Sequence, residues 1–102
     1  MAETAQIRAP SGLKQAGRRL WRDVTAEFDL QQEPHKRRLL EDACRVTDTI
    51  AELERAMADE PLSVRGSAGQ MTIHPFISEA RFQRALLAQL LARLNFEGPE
   101  EV

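Results

Sequence analysis

The chain lacks the features of several large protein classes. Its one cysteine, Cys44, excludes a disulfide within the chain and fits a reducing compartment. There is no run of about 18 apolar residues, so we expect no transmembrane helix. Residues 1–12 contain no apolar segment of the kind found in signal peptides. These absences predict a cytoplasmic protein that does not contact a membrane.

The chain also has few side chains that carry out chemistry. Its two histidines, His35 and His74, have no second histidine or cysteine at metal-ligand spacing, so we expect no zinc site. Cys44 lies among apolar residues of a predicted helix, which is typical of unreactive packing. Gly66 and Gly69 are not followed by the Lys-Ser/Thr pair of a phosphate-binding loop. We therefore expect no enzyme, no cofactor and no metal ion.

The apolar residues predict a small, mainly α-helical fold. With 102 residues, of which 42% are apolar, the chain has the size and composition of one small folded domain. Apolar residues at three- and four-residue spacing predict helices at about 12–29, 34–58 and 75–95. Alternating apolar and polar residues predict one short β-hairpin at about 62–73, between the second and third helices.

These elements divide the chain into three predicted parts. Residues 1–11 are expected to be a flexible N-terminal arm, residues 12–96 a single helical domain, and residues 97–102 an acidic tail. Ser11 is a candidate N-cap of the first helix. His74 precedes a proline and is expected to cap the third helix.

The tip of the predicted hairpin contains two glycines. Gly66 and Gly69 are both expected to take positive φ, which other residues rarely adopt. An isolated hairpin is only marginally stable in water. We therefore expect the hairpin to lie against the first two helices.

The second predicted helix has two apolar stripes. Leu39, Val46, Ile50 and Leu53 follow heptad spacing, and we expect this stripe to pack within the chain. The neighbouring stripe, together with two leucines of the third helix, is the candidate interface between copies of the chain. The candidate interface residues are Leu40, Cys44, Thr47, Ala51, Leu87 and Leu91.

The net charge of −2 is distributed unevenly along the chain. Residues 1–38 contain eight Lys/Arg and five Asp/Glu, whereas residues 39–60 contain two and seven. Cations recur every four residues along the first helix, and others begin the second helix, where the helix dipole disfavours them. This pattern predicts a basic face that contacts phosphates; the alternative is that these side chains are only solvated. Trp21 lies among apolar residues, which favours packing over stacking on a base. The candidate DNA-binding residues are Lys14, Arg18, Arg19, Arg22, Lys36, Arg37 and Arg38.

Several segments together resemble one protein family. Gly17–Trp21 (GRRLW), Leu39–Arg45 (LLEDACR), Asp48–Leu53 (DTIAEL) and Gly69–Pro75 (GQMTIHP) follow one another in this order. Over about residues 12–95, the chain resembles the short small terminase subunits of tailed bacteriophages and of prophages of actinobacteria.

The resemblance implies a non-enzymatic protein of the bacterial host cytoplasm. Small terminase subunits assemble into rings, bind double-stranded viral DNA where packaging starts, and deliver it to the large subunit, which holds the ATPase and nuclease. Many of them contain a helix-turn-helix domain, but here the join at residues 30–34 lacks the usual glycine turn. This departure favours binding through contacts with DNA phosphates over sequence-specific binding. The alternative is a small helical DNA-binding regulator or antitoxin that acts as a dimer.

Overall fold

The fold is mainly helical, as predicted from the sequence. The structure, a computed structural model, describes residues 7–59, 63–66 and 68–95; the predicted acidic tail lies outside these ranges. Helices and strands occur within about three residues of their predicted bounds. Helix α1 spans Gln15–Glu27, α2 Pro34–Met57 and α3 Pro75–Leu94, and between α2 and α3 lie strands β1, Ser63–Arg65, and β2, Met71–Ile73.

Helix α2 is the centre of the fold, because α1 and α3 both pack against it. The helix is long and presents apolar residues on more than one side, so a single neighbour cannot cover it. The buried core therefore draws on all three helices and on the connections that precede α1 and α2. Its buried members are Leu13, Trp21, Leu30, Leu40, Cys44 and Leu94.

The two stripes of α2 have different neighbours from those predicted. Leu40 and Cys44, candidates for an interface between copies, are 0% exposed and belong to the core. A fully buried side chain cannot contact a second copy, so this part of the interface prediction is corrected. In the stripe predicted to be internal, Ile50 is buried, and Leu39 and Leu53 are half-buried, with Leu39 packed against the core. Cys44 is buried because α1 of the same chain packs beside it, a contact between segments distant in sequence.

The other candidate interface residues retain some exposed surface. Thr47 and Ala51 are half-buried on α2. The Thr47 hydroxyl donates a hydrogen bond to the carbonyl of Ala43 at 2.8 Å. On α3, Leu87 is half-buried, whereas Leu91 is 39% exposed. These four residues stay candidates for contact with another molecule.

The start of α1 differs from the prediction. Ser11 and Gly12 form a turn, in which Gly12 has a φ of +89° that no α-helix contains. The helix begins after Lys14, whose side chain makes no capping hydrogen bond. The carboxylate of Asp48 on α2 instead accepts the backbone N–H groups of Lys14 and Gly17, each at 2.7 Å. The cap of α1 thus comes from another helix and not from Ser11.

The hairpin has the predicted strands but not the predicted position. Strands β1 and β2 pair antiparallel, with Val64 opposite Thr72. Gly69 has the predicted positive φ of +90°, whereas Gly66 does not. In the described residues the strands make no extensive contact with a helix. Met71 and Ile73 are 60% and 52% exposed, so these two residues of β2 do not show the expected packing on the first two helices.

Helix α3 has a suitable residue at each end, and His74 caps its start as predicted. The imidazole Nδ1 of His74 accepts the N–H of Phe76 at 3.1 Å, and Pro75 occupies the first helical position. At the other end, Asn95 is left-handed, with φ 50° and ψ 52°. Asparagine tolerates this conformation better than most residues, so it ends the helix at low cost.

Candidate nucleic-acid interface

Residues 7–10 cross the surface of α1 at Trp21. The indole N–H of Trp21 donates a hydrogen bond to the carbonyl of Ile7 at 2.8 Å. Ile7 and Ala9 pack against the core, so this part of the predicted flexible arm is held in place. Trp21 itself is only 4% exposed, and its ring is therefore part of the core and cannot stack on a base.

Two grooves lined by arginines lie on either side of this segment. Arg8, Arg18 and Arg22 line the groove next to α1. Arg8 also lines the second groove, next to the start of α2, together with Arg37 and Arg38. We call these five residues the arginine face. The structure thus brings four of the predicted DNA-binding residues together around Trp21, and adds Arg8, which the sequence analysis did not select.

Backbone carbonyls orient two of these guanidinium groups. The Arg37 guanidinium donates to the carbonyls of Leu30 and Gln31 at 2.7 and 2.8 Å, which holds the connection between α1 and α2. The Arg18 guanidinium donates to the carbonyl of Leu13. Because a guanidinium has five N–H donors, each of these residues keeps donors for a further ligand. The two guanidinium groups are therefore partly oriented before a ligand binds, and they still have N–H groups to donate to it.

Arg38 has two acidic neighbours on α2. Its side chain is 69% exposed and lies 3.7 Å from Glu41 and 3.2 Å from Asp42. Exposed pairs of this kind contribute about 0.3–0.5 kcal/mol, so a phosphate can compete for the guanidinium. Of these two carboxylates, Glu41 also lines the second groove. Among the residues that the structure describes, five arginines and one carboxylate line the two grooves, so this part of the lining carries a net positive charge.

The remaining predicted DNA-binding residues lie elsewhere. Lys14 and Arg19 line a different groove, together with Arg55 of α2. Lys14 forms an ion pair with Glu52. Lys36 pairs with Glu33 at 3.4 Å and is directed toward the end of α3. The structure therefore does not unite all seven predicted residues on one surface.

The N-terminus of α1 is already occupied by a carboxylate. Asp48 is 9% exposed and accepts two of the N–H groups that a helix start leaves unpaired. A Cβ atom on Gly17 would lie 2.6 Å from the Asp48 Oδ2 atom, so the close approach needs glycine. A phosphate cannot use these two N–H groups while Asp48 holds them. The sequence signal for this cap is a glycine inside α1 and an acidic residue within an apolar stripe of α2.

The reactive side chains have structural roles. Burial, followed by the negative charge of Asp48, raises the pKa of the Cys44 thiol from 9.0 to about 12. The thiol is therefore protonated at neutral pH and is a poor nucleophile. Among the residues that the structure describes, no group of three or more His, Cys, Asp or Glu side chains is arranged to hold a metal ion.

Comparisons of the chain with protein-family models, with curated proteins and with solved structures give no match. Within the described part of the chain, no helix combines the length and the apolar character needed to cross a membrane.

Proposed function

We propose that the chain is a non-enzymatic DNA-packaging subunit of the small-terminase kind. It would assemble into a ring in the cytoplasm of a bacterial host, bind double-stranded viral DNA, and deliver the DNA to a large terminase subunit. The DNA-binding part of this proposal is supported by the arginine face around Trp21. The viral DNA, the large subunit and the ring rest on the resemblance of the sequence to small terminase subunits.

The arginine face suits phosphates better than base edges. Its guanidinium groups come from three separate segments, and those of Arg18 and Arg37 are anchored by backbone carbonyls. Such an arrangement spreads positive charge over a surface. It does not place a row of side chains where they could enter a groove of DNA and contact base edges. The net charge of −2 gives no bulk attraction to DNA, so affinity must come from this local surface. Each copy would bind weakly, in the range of roughly 10⁻⁴ to 10⁻⁶ M at physiological salt.

A matched pair of charge-reversal variants tests this proposal. Arg22→Glu with Arg38→Glu removes two members of the arginine face but spares Arg37, which holds a connection together. Arg81→Glu with Arg93→Glu changes the net charge equally at exposed sites on α3. Binding to labelled duplexes of several sequences is measured at two salt concentrations, after thermal melting has shown that both variants are folded.

We expect the first variant to bind all duplexes more weakly and with a smaller salt dependence, because fewer counterions are released. The control variant should stay close to the parent. Equal loss in both variants would indicate only an effect of net charge, and the proposed DNA-binding face would then be wrong.

Exposed apolar side chains support the proposed self-association. Among the described residues, the hairpin and α3 carry five large apolar side chains that are at least 37% exposed. Large exposed apolar side chains are candidates for contact with another protein molecule. The alternative function, a dimeric regulator or antitoxin, also needs such an interface, so native mass distinguishes the two: a closed ring of several copies or a stable dimer. The five residues are Met71, Ile73, Phe76, Phe82 and Leu91.

A further inference from the structure

The segment at residues 7–10 alternates between core and solvent. Ile7 and Ala9 are partly buried against the core, whereas Arg8 between them is exposed. Packing of the two apolar neighbours therefore directs Arg8 outward, and the hydrogen bond from Trp21 to the Ile7 carbonyl fixes the position of the segment.

Arg8 occupies the place between the two halves of the arginine face. It lines both grooves, whereas Arg22 lines only the groove next to α1 and Arg38 only the groove next to α2. Among the residues that the structure describes, no carboxylate forms an ion pair with Arg8. Of the described residues that line the two grooves, only Glu41 is acidic.

We infer that Arg8 is a phosphate contact for double-stranded DNA, positioned by Trp21 through the Ile7 carbonyl, and that it joins the two halves of the arginine face into one surface. This inference rests on the proposed DNA-binding function. Trp21 is a positioning residue, because it is buried and acts on DNA only through the segment it holds. A held arginine loses less conformational freedom on binding than one on a mobile arm, so each phosphate contact is stronger.

The experiment compares Arg8→Gln, Trp21→Phe and the double variant with the parent protein. Arg8→Gln keeps a long polar side chain but removes the charge. Trp21→Phe keeps an aromatic ring in the core but removes the N–H donor to the Ile7 carbonyl. Arg93→Gln, at an exposed site on α3, is the matched control. The readout is the affinity for one labelled duplex over a series of salt concentrations.

We expect Arg8→Gln to weaken binding severalfold and to reduce the slope of log K against log salt by about 0.9, the value for one phosphate contact. Trp21→Phe should reduce the slope in the same way, and the double variant should bind no more weakly than Arg8→Gln alone. Non-additivity of this kind shows that the two residues act through one contact.

Different failures have different meanings. A parent-like slope for Arg8→Gln overturns the inference even when Arg22→Glu with Arg38→Glu has lost affinity. Additive losses overturn the positioning role of Trp21 and leave Arg8 as a contact. Should Trp21→Phe not fold, the slope of Arg8→Gln still decides the inference, because Arg8 is exposed and lies outside the helices. If no variant of the arginine face changes affinity, the proposed function fails as well.

Discussion

At the scale of single residues, the buried carboxylate of Asp48 links two helices. Its two oxygens accept N–H groups at the start of α1 while its backbone belongs to α2. Both carboxylate oxygens accept a hydrogen bond. An asparagine amide would replace one oxygen with an NH₂ group, which would face a backbone N–H donor and could not accept its hydrogen bond. We therefore predict that Asp48→Asn lowers the free energy of unfolding by about 1–3 kcal/mol, the cost of leaving a buried hydrogen-bonding group without a partner. Urea unfolding followed by circular dichroism measures this change.

Asp42→Asn is the matched control for Asp48→Asn. Asp42 lies on the same helix and pairs with Arg38 at the surface, so its loss should change stability by about 0.5 kcal/mol or less. Equal effects of the two substitutions would show that Asp48 does not cap α1. The comparison isolates the buried contact because both substitutions remove one negative charge from α2.

At the scale of secondary-structure elements, local signals predicted the fold well. The three helices follow from apolar periodicity, and the terminators His74 and Asn95 follow from local backbone preferences. The partners of each helix face could not be predicted in the same way. Leu40 is buried by packing between segments far apart in the chain, and no local pattern distinguishes that contact from one with a second copy.

The residues of the candidate site also differ in whether local sequence patterns could predict them. Arg18 and Arg22 were predictable from their four-residue spacing, and Arg37 and Arg38 from their unfavourable place at a helix start. Arg8 was not, because its position depends on a hydrogen bond between the Ile7 carbonyl and a tryptophan 14 residues away.

The hairpin offers a prediction at the same scale. Gly69 has a φ of +90°, and a Cβ atom there would meet no atom within 4 Å, so only the backbone conformation opposes a side chain. We expect Gly69→Val to weaken the hairpin by about 1–2 kcal/mol. The helices should melt almost as in the parent, because the described strands lie apart from the core. Exchange of the Gly66 amide hydrogen, which bonds to the Gln70 carbonyl, should be faster.

Ala68→Val is the control at the same turn. Ala68 is exposed and does not have a positive φ, so valine there should change exchange little. If the Gly66 amide hydrogen exchanges at the same rate in Gly69→Val and in Ala68→Val, backbone strain at the turn is not significant.

At the scale of the whole molecule, the shape is extended and leaves apolar surface uncovered. The radius of gyration is 17.7 Å, whereas a compact domain of 100 residues has about 13 Å. Phe82 on α3 is 63% exposed, and Ile73 on β2 is 52% exposed. A small chain gains stability by covering such residues with another copy of itself, since its own core is limited. The extended shape and the exposed residues therefore favour an assembly over an isolated monomer.

We predict that Phe82→Glu with Ile73→Glu lowers the native mass of the protein and leaves the helical core folded. The proposed assembly would cover these two apolar side chains, so the parent should have a native mass of more than one chain. In the variant, two charges would have to be buried at the interface, which costs far more than exposing them in a monomer. Phe28→Glu is the control, since Phe28 is also exposed, at 37%, but lies at the end of α1. Native mass spectrometry and circular dichroism together measure assembly and folding. A parent of monomeric mass, or an equal loss of assembly in the Phe28 variant, would contradict the assignment of the interface to the hairpin and α3.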